Sequence, residues 1–152
     1  MGAPLYRILF VCMGNICRSP TAEAVMRQML TSAGLAEHCH VDSAGTGSWH
    51  AGQRPDERAR AAAARRGYEL TGRARAVNDR DFVDFDLIVS VDDDNLRRLK
   101  DIAPSYATAT LRKLDDADVP DPYYGGADGF DDVLSQIERA CRELLAELRG
   151  NG

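Results

Sequence analysis

Cys12 and Arg18 stand six positions apart in the run Val11-Cys12-Met13-Gly14-Asn15-Ile16-Cys17-Arg18-Ser19-Pro20. A thiolate is a strong nucleophile, and a guanidinium binds two phosphate oxygens at once. Together they suggest a cysteine that attacks phosphorus, with Arg18 gripping the phosphate and stabilising the five-coordinate transition state. The spacing alone is weak. With 4 Cys in 152 residues and 17 arginines, about 0.4 such pairs are expected by chance.

Context carries the reading. Ile8-Leu9-Phe10-Val11 reads as a buried strand, and Thr21-Ala22-Glu23-Ala24-Val25-Met26 reads as helix. A strand, a tight loop and a helix start point free N–H groups and the helix dipole at an anion. Residues 13–18 (Met13, Gly14, Asn15, Ile16, Cys17 and Arg18) therefore form a candidate phosphate-binding loop. Gly14 and Asn15 tolerate left-handed backbone geometry, which lets successive N–H groups converge. A helix N-terminus and a nearby guanidinium favour thiolate over thiol. Ser19 is placed to hydrogen-bond the sulfur and help it leave in a second step.

Cleaving a phosphoester this way needs an acid for the leaving oxygen. Asp121 is the candidate, in the loop Asp121-Pro122-Tyr123-Tyr124-Gly125-Gly126. A loop punctuated by Pro and Gly displays a side chain rather than burying it, although an Asp before Pro is also an ordinary turn former. The loop aromatics Trp49, Tyr123 and Tyr124 suit the walls of an aryl-phosphate site. Cys17 has two readings: it packs under the loop, or it forms a reversible disulfide with Cys12 that protects the nucleophile from overoxidation.

These residues need a scaffold. Periodicity and turn signals predict strands over 6–11, 41–44, 85–91 and, more weakly, 107–111. Helices are predicted over 20–33, 55–66 and 92–100, with a long closing helix from about Phe130 to Leu148. Ser19 reads as the cap of the first helix, with Pro20 at its first position. Gly34 and Gly67 read as helix stops. Strands alternating with helices imply an α/β fold: a single-domain four-stranded parallel sheet over 1–152, flanked by helices on both faces. Ligands of such sheets bind beyond the carboxyl ends of the strands, where the candidate loop lies.

Composition narrows the function. Net charge is −5, which argues against a nucleic-acid binder. It does not forbid an anionic substrate, since a helix terminus and one Arg oppose the global sign locally. No apolar run approaches a membrane span, and no secretory signal is evident. The expectation is a cytoplasmic protein, with export by another route left open. Cys12, Cys17, Cys39 and Cys141 are too few and scattered for a disulfide framework. His38-Cys39-His40 is a poor metal ligand set, because neighbouring strand residues face opposite ways. No metal and no cofactor are expected.

With these residues in place, the chain resembles a low-molecular-weight protein tyrosine phosphatase. The loop 12–20, the segment Asp42-Ser43-Ala44-Gly45-Thr46 and the segment Asp121-Pro122-Tyr123-Tyr124-Gly125 match that family in order and separation. The resemblance implies Cys12 as nucleophile, Arg18 as phosphate binder and Asp121 as general acid, then base for the water that cleaves the phosphocysteine. It implies that Ser19 stabilises the thiolate and that Asn15 and Ser43 pair to hold the loop. It also implies that Trp49, Tyr123 and Tyr124 contact the substrate. Cys17 matches the family's second cysteine, which favours redox regulation. Many relatives carry a His near Gly72-Arg73; this chain has none, so no role transfers there. The implied partners are phosphotyrosine proteins and a cognate tyrosine kinase acting on Tyr123 or Tyr124.

Two relatives of the fold remain as alternatives. Arsenate reductases use a downstream cysteine pair, and no Cys lies between Cys39 and Cys141. Protein-arginine phosphatases carry Thr where this chain has Ile16 and lack the double tyrosine. A non-catalytic phosphate-binding module fits poorly with the presence of both Arg18 and Asp121.

Overall fold

The first strand is apolar without alternation because both its faces are covered. The computed structural model describes residues 5–122 and 127–150. Among them are β1 (Tyr6–Cys12), α1 (Arg18–Ser32), β2 (Cys39–Gly45), α2 (Glu57–Ala64) and α3 (Asp81–Asp84). These are followed by β3 (Leu87–Ser90), α4 (Asp93–Ile102), β4 (Thr110–Lys113) and α5 (Ala127–Gly150). Successive residues of β1 face opposite ways. Ile8, Phe10 and Cys12 join one cluster with Val25 and Met26 of α1 and Leu134 and Ile137 of α5. Leu9 and Val11 join a second, with Phe82 of α3, Ile88 of β3 and Leu99 of α4. Removing a side chain such as Phe10 would cost about 3–5 kcal/mol, from lost transfer energy plus the cavity left behind.

The sheet order is β2-β1-β3-β4 and every pairing is parallel. The chain leaves β1 for β2 on one side, then crosses to β3 on the other. The carboxyl ends of β1 and β3 therefore flank a topological switch point, the usual ligand crevice of an open parallel sheet.

Helix ends follow the local sequence closely. Gly34 (φ 75°) and Gly67 (φ 85°) adopt the left-handed conformation. Beside them Leu35 N–H donates to Leu30 O at 2.8 Å and Tyr68 N–H to Ala63 O at 3.0 Å. These are Schellman closures, in which a left-handed residue lets the chain turn back on the last carbonyls.

Several predicted boundaries need correction. The first helix begins at Arg18, not Pro20, and has no side-chain cap; Ser19 is inside it, with its hydroxyl turned to Cys12. Helix α2 is shorter than 55–66, because Asp56 caps it through the N–H groups of Arg58 and Ala59. Strand β3 starts at Leu87; Phe85 instead closes α3, a one-turn helix too short for periodicity to reveal. Strand β4 lies later than 107–111, since the Ala107 N–H closes a turn on Pro104 O and pairing begins with Leu87 opposite Thr110. The side chain of His40 stacks on Phe85, with ring centroids 6.2 Å apart. Among the described residues no helix is long and apolar enough to cross a membrane.

Candidate active site

β1 ends at Cys12 and α1 starts at Arg18, so five residues turn the chain through the switch point. Asn15 makes that turn, at φ 58°. Asn accepts this left-handed geometry more readily than most residues. Gly14 does not need it. Its missing Cβ matters instead, because a Cβ there would lie 2.9 Å from His50 Cδ2. The exit of β2 clamps the loop from the side. Thr46 N–H donates to Cys12 O at 2.9 Å, and Gly47 N–H to Met13 O at 3.0 Å. Gly45 permits this approach, since a Cβ on it would meet Met13 O at 2.7 Å.

Cys12 is 2% exposed. Its Sγ lies 3.0 Å from Ser19 Oγ and accepts the Asn15 N–H at 3.2 Å. A directed chain of hydrogen bonds stands behind this pair. Glu23 Oε1 accepts the Ser43 hydroxyl at 2.6 Å. Ser43 Oγ in turn accepts from Asn15 Nδ2 at 3.0 Å, and Ser19 Oγ accepts from the same nitrogen at 2.8 Å. Asn15 Oδ1 accepts the Arg75 N–H at 3.0 Å. Because Ser19 Oγ already accepts from Asn15, its own hydrogen is left to donate. Cys12 Sγ at 3.0 Å is a nearer acceptor than Ala44 O at 3.4 Å. The carboxylate of Glu23 thus sets the direction of a relay that ends on sulfur.

Arg18 is 4% exposed. Its Nη1 donates to Asp92 Oδ2 at 2.7 Å and to Val119 O at 2.9 Å. Its Nη2 lies 3.9 Å from Asp121 Oδ2. Asp92 serves two ends at once. Its Oδ1 accepts the N–H and Nδ2 of Asn95 at 2.8 Å each, capping α4. Asn95 Oδ1 then accepts the Thr46 hydroxyl at 2.9 Å, which ties α4 to the exit of β2.

A cleft of about 330 Å³ gathers these groups. Cys12, Met13, Gly14, Ile16, Cys17, Arg18, Trp49, His50 and Asp121 line it. Trp49 stands at its rim, 73% exposed, folded over Gly47, where a Cβ would overlap its ring. Tyr123 and Tyr124 lie outside the described residues. All four cysteines are free thiols. Burial pushes the Cys17 thiol up to about 12, and Asp56, Cys12 and Asp121 act in the same direction. Cys141 is fully buried between α5 and α1 and likewise pushed up to about 12 by burial. Cys39 pairs with Tyr6 at the opposite end of β1 from Cys12, about 20 Å away along the strand.

The arrangement brings Cys12, Arg18 and Asp121 into one cleft, with Ser19, Asn15 and Ser43 linked behind the sulfur. Sequence reasoning did not anticipate Glu23, Arg75, Asp92 or His50. Asp92 signals itself only as a helix cap; its bond to Arg18 spans 74 positions and leaves no trace in local spacing.

Comparison with known proteins places the chain. The family described as low molecular weight phosphotyrosine protein phosphatase matches residues 7–152. A low molecular weight protein-tyrosine-phosphatase of Streptomyces coelicolor is 47% identical over 154 residues, covering 95% of this chain and 94% of the relative. The crystal structure of a protein tyrosine phosphatase from Entamoeba histolytica, with Hepes in its active site, superposes with a TM-score of 0.92 at 41% identity. It covers 96% of this chain and 98% of its own. A Drosophila arginine phosphatase superposes with a TM-score of 0.86 at 33% identity, over 93% of this chain and 96% of its own. The fold is therefore shared with an enzyme named for a different leaving group. The match over nearly the full length makes this chain a member of the low molecular weight phosphotyrosine protein phosphatase family.

Proposed function

We propose that the chain hydrolyses phosphotyrosine in proteins, and small aryl phosphates, through a phosphocysteine on Cys12. The observation that carries this reading is the shared cleft of Cys12, Arg18 and Asp121, with a hydroxyl 3.0 Å from the sulfur. In the first step Cys12 Sγ forms a bond to phosphorus while the bond to the tyrosyl oxygen breaks. Asp121, as the carboxylic acid, gives that oxygen its proton. Arg18 holds two equatorial oxygens, and the loop N–H groups hold the charge that develops on them. In the second step Asp121, now a carboxylate, takes a proton from water as the water attacks phosphorus. The P–S bond breaks, inorganic phosphate leaves and Ser19 stabilises the returning thiolate.

Trp49 supplies an exposed apolar face at the rim for the aryl ring, and Tyr123 and Tyr124 join it by family resemblance. Ile16 lines the cleft where arginine phosphatases carry Thr, which supports an aryl rather than a guanidino leaving group. Cys39 and Cys141 lie too far from Cys12, or too deep, for a disulfide relay, which weighs against arsenate reduction. Cys17 serves either as a packed wall or as the partner that traps oxidised Cys12 as a disulfide. Four free thiols suit a reducing compartment. Phosphorylation of Tyr123 or Tyr124 by a tyrosine kinase is a regulatory reading that mass spectrometry after incubation with such a kinase tests. The function itself is tested with p-nitrophenyl phosphate under reducing, chelated conditions: steady release of p-nitrophenol is expected, and an inert protein overturns the proposal.

A further inference from the structure

Seven arginines lie between residues 54 and 75, and they divide into two kinds. Arg58 pairs with Asp56, Arg65 with Asp131, Arg66 with Glu138, and Arg75 with Asp42 and Asp81. Arg54, Arg60 and Arg73 form no salt bridge among the described residues. These three line a single groove of about 650 Å³.

Two of them are oriented without being neutralised. Arg60 Nε donates to Pro55 O at 3.0 Å, and Arg73 Nη1 donates to Gly52 O at 3.0 Å. A backbone carbonyl fixes a guanidinium but leaves its charge and its other N–H donors available. Glu69 is the one carboxylate that lines the groove among the described residues. The result is a locally positive trough on a chain whose net charge is −5.

The trough is tied to the cleft. Gly52 N–H donates to Ala74 O, and Ala74 N–H to Gln53 O, both at 2.8 Å, closing the loop that holds the groove. Gln53 Oε1 lies 3.0 Å from Nδ1 of His50, which lines the cleft. Asp56 N–H donates to Ile16 O at 2.7 Å, joining the same segment to the phosphate loop. His50 and Arg54 are four residues apart, so their Cα atoms are at most about 14 Å apart.

We propose that this groove docks an acidic stretch of the phosphoprotein substrate, with carboxylate side chains about three to six residues from the phosphotyrosine. This deepens the phosphotyrosine reading above and rests on it. Arg60 and Arg73, already held by carbonyls, lose less motion on meeting a carboxylate than an unheld guanidinium would, and Arg54 adds a third positive charge to the groove.

The test compares two phosphotyrosyl peptides. One carries Glu three to six residues to either side of the phosphotyrosine, and its twin carries Gln. The Glu peptide is expected to have a kcat/KM about tenfold higher at low ionic strength, from three partly exposed ion pairs. That advantage should shrink towards unity in 0.5 M salt, where the Debye length is about 4 Å. It should vanish in Arg54→Gln/Arg60→Gln/Arg73→Gln, while p-nitrophenyl phosphate is turned over as before. Arg54→Gln alone, a single surface change, should lower it about twofold. Equal kcat/KM for the two peptides, or an advantage that survives the triple substitution, overturns the docking proposal. Failure of the unsubstituted protein on p-nitrophenyl phosphate would instead overturn the phosphatase reading.

Discussion

On one side of the cleft, Cys12 is held by a loop anchored through the carbonyls of Cys12, Met13, Ile16 and Cys17, each of which accepts a backbone hydrogen bond. Asn15 alone contacts Ser19, Ser43 and Arg75 through its side chain, while its N–H points at the sulfur. On the other side, the side chain of Asp121 is 35% exposed and 3.9 Å from Arg18. The difference matches what each group would do in the mechanism proposed above. A sulfur that accepts and releases phosphorus is most effective when its donors are fixed before the reaction. An acid that passes a proton first to a phenolate and then takes one from water must reach solvent. One side is built for rigidity and the other for exchange.

Substitutions on the two sides should therefore fail differently. Cys12→Ser is expected to abolish turnover with the fold intact; a circular dichroism spectrum and a phosphatase assay check both halves. Asp121→Asn should slow kcat by about 10² or more, while competitive inhibition by inorganic phosphate persists. Unchanged kcat would remove Asp121 from the mechanism and leave the cleft one-sided.

Cys17 sharpens the comparison next. With its thiol pushed up to about 12, it is protonated at neutral pH, and its thiolate fraction rises with pH. Disulfide formation with peroxide-treated Cys12 should accelerate about tenfold per pH unit between 7 and 9. Quenched peptide mapping reads the rate. A rate independent of pH, or no Cys12–Cys17 disulfide, would leave Cys17 only its packing role.

The smallest effect concerns the frame. Burial alone would raise the carboxyl of Asp56, but hydrogen bonds from Arg58 and Ala59 outweigh it and hold the group below the ordinary carboxylate range. A lowered folded value means stabilisation that is present above the ordinary carboxyl value and is lost as pH falls through the lower one. Asp56→Ala should cost about 1 kcal/mol, as for other helix caps. Urea unfolding near neutral pH and again near pH 3 measures it, with the difference narrowing in acid.

The fold class was legible because β1 and α1 carry unambiguous patterns: an apolar run of strand length and apolar residues at helical spacing. The loop between them was legible because its backbone demands and its chemistry fall on adjacent residues. Boundaries were less so. Ser19 looks like a helix cap by residue type, yet its hydroxyl is claimed by a sulfur seven residues earlier, and the helix starts before it. Strand β4 is set by pairing with Leu87 rather than by its own alternation. Glu23 read only as a helical residue, since nothing local announces that Ser43 donates to it. Asp92 and Arg75 meet the site through contacts 60 or more residues apart in sequence. Such contacts are products of the fold, and only the folded chain displays them.

Asp92 carries a consequence of its own. One oxygen holds the start of α4 and the other holds Arg18. Occupancy of the proposed phosphate loop and the order of a helix on the far side of the sheet would then share a single carboxylate. An oxyanion bound to Arg18, which is already held by Asp92, is expected to stiffen the cap of α4 with it. The amide hydrogens of the first turn of α4 should exchange with solvent more slowly in the presence of vanadate or phosphate. A helix that never touches the ligand would thus report whether the site is filled.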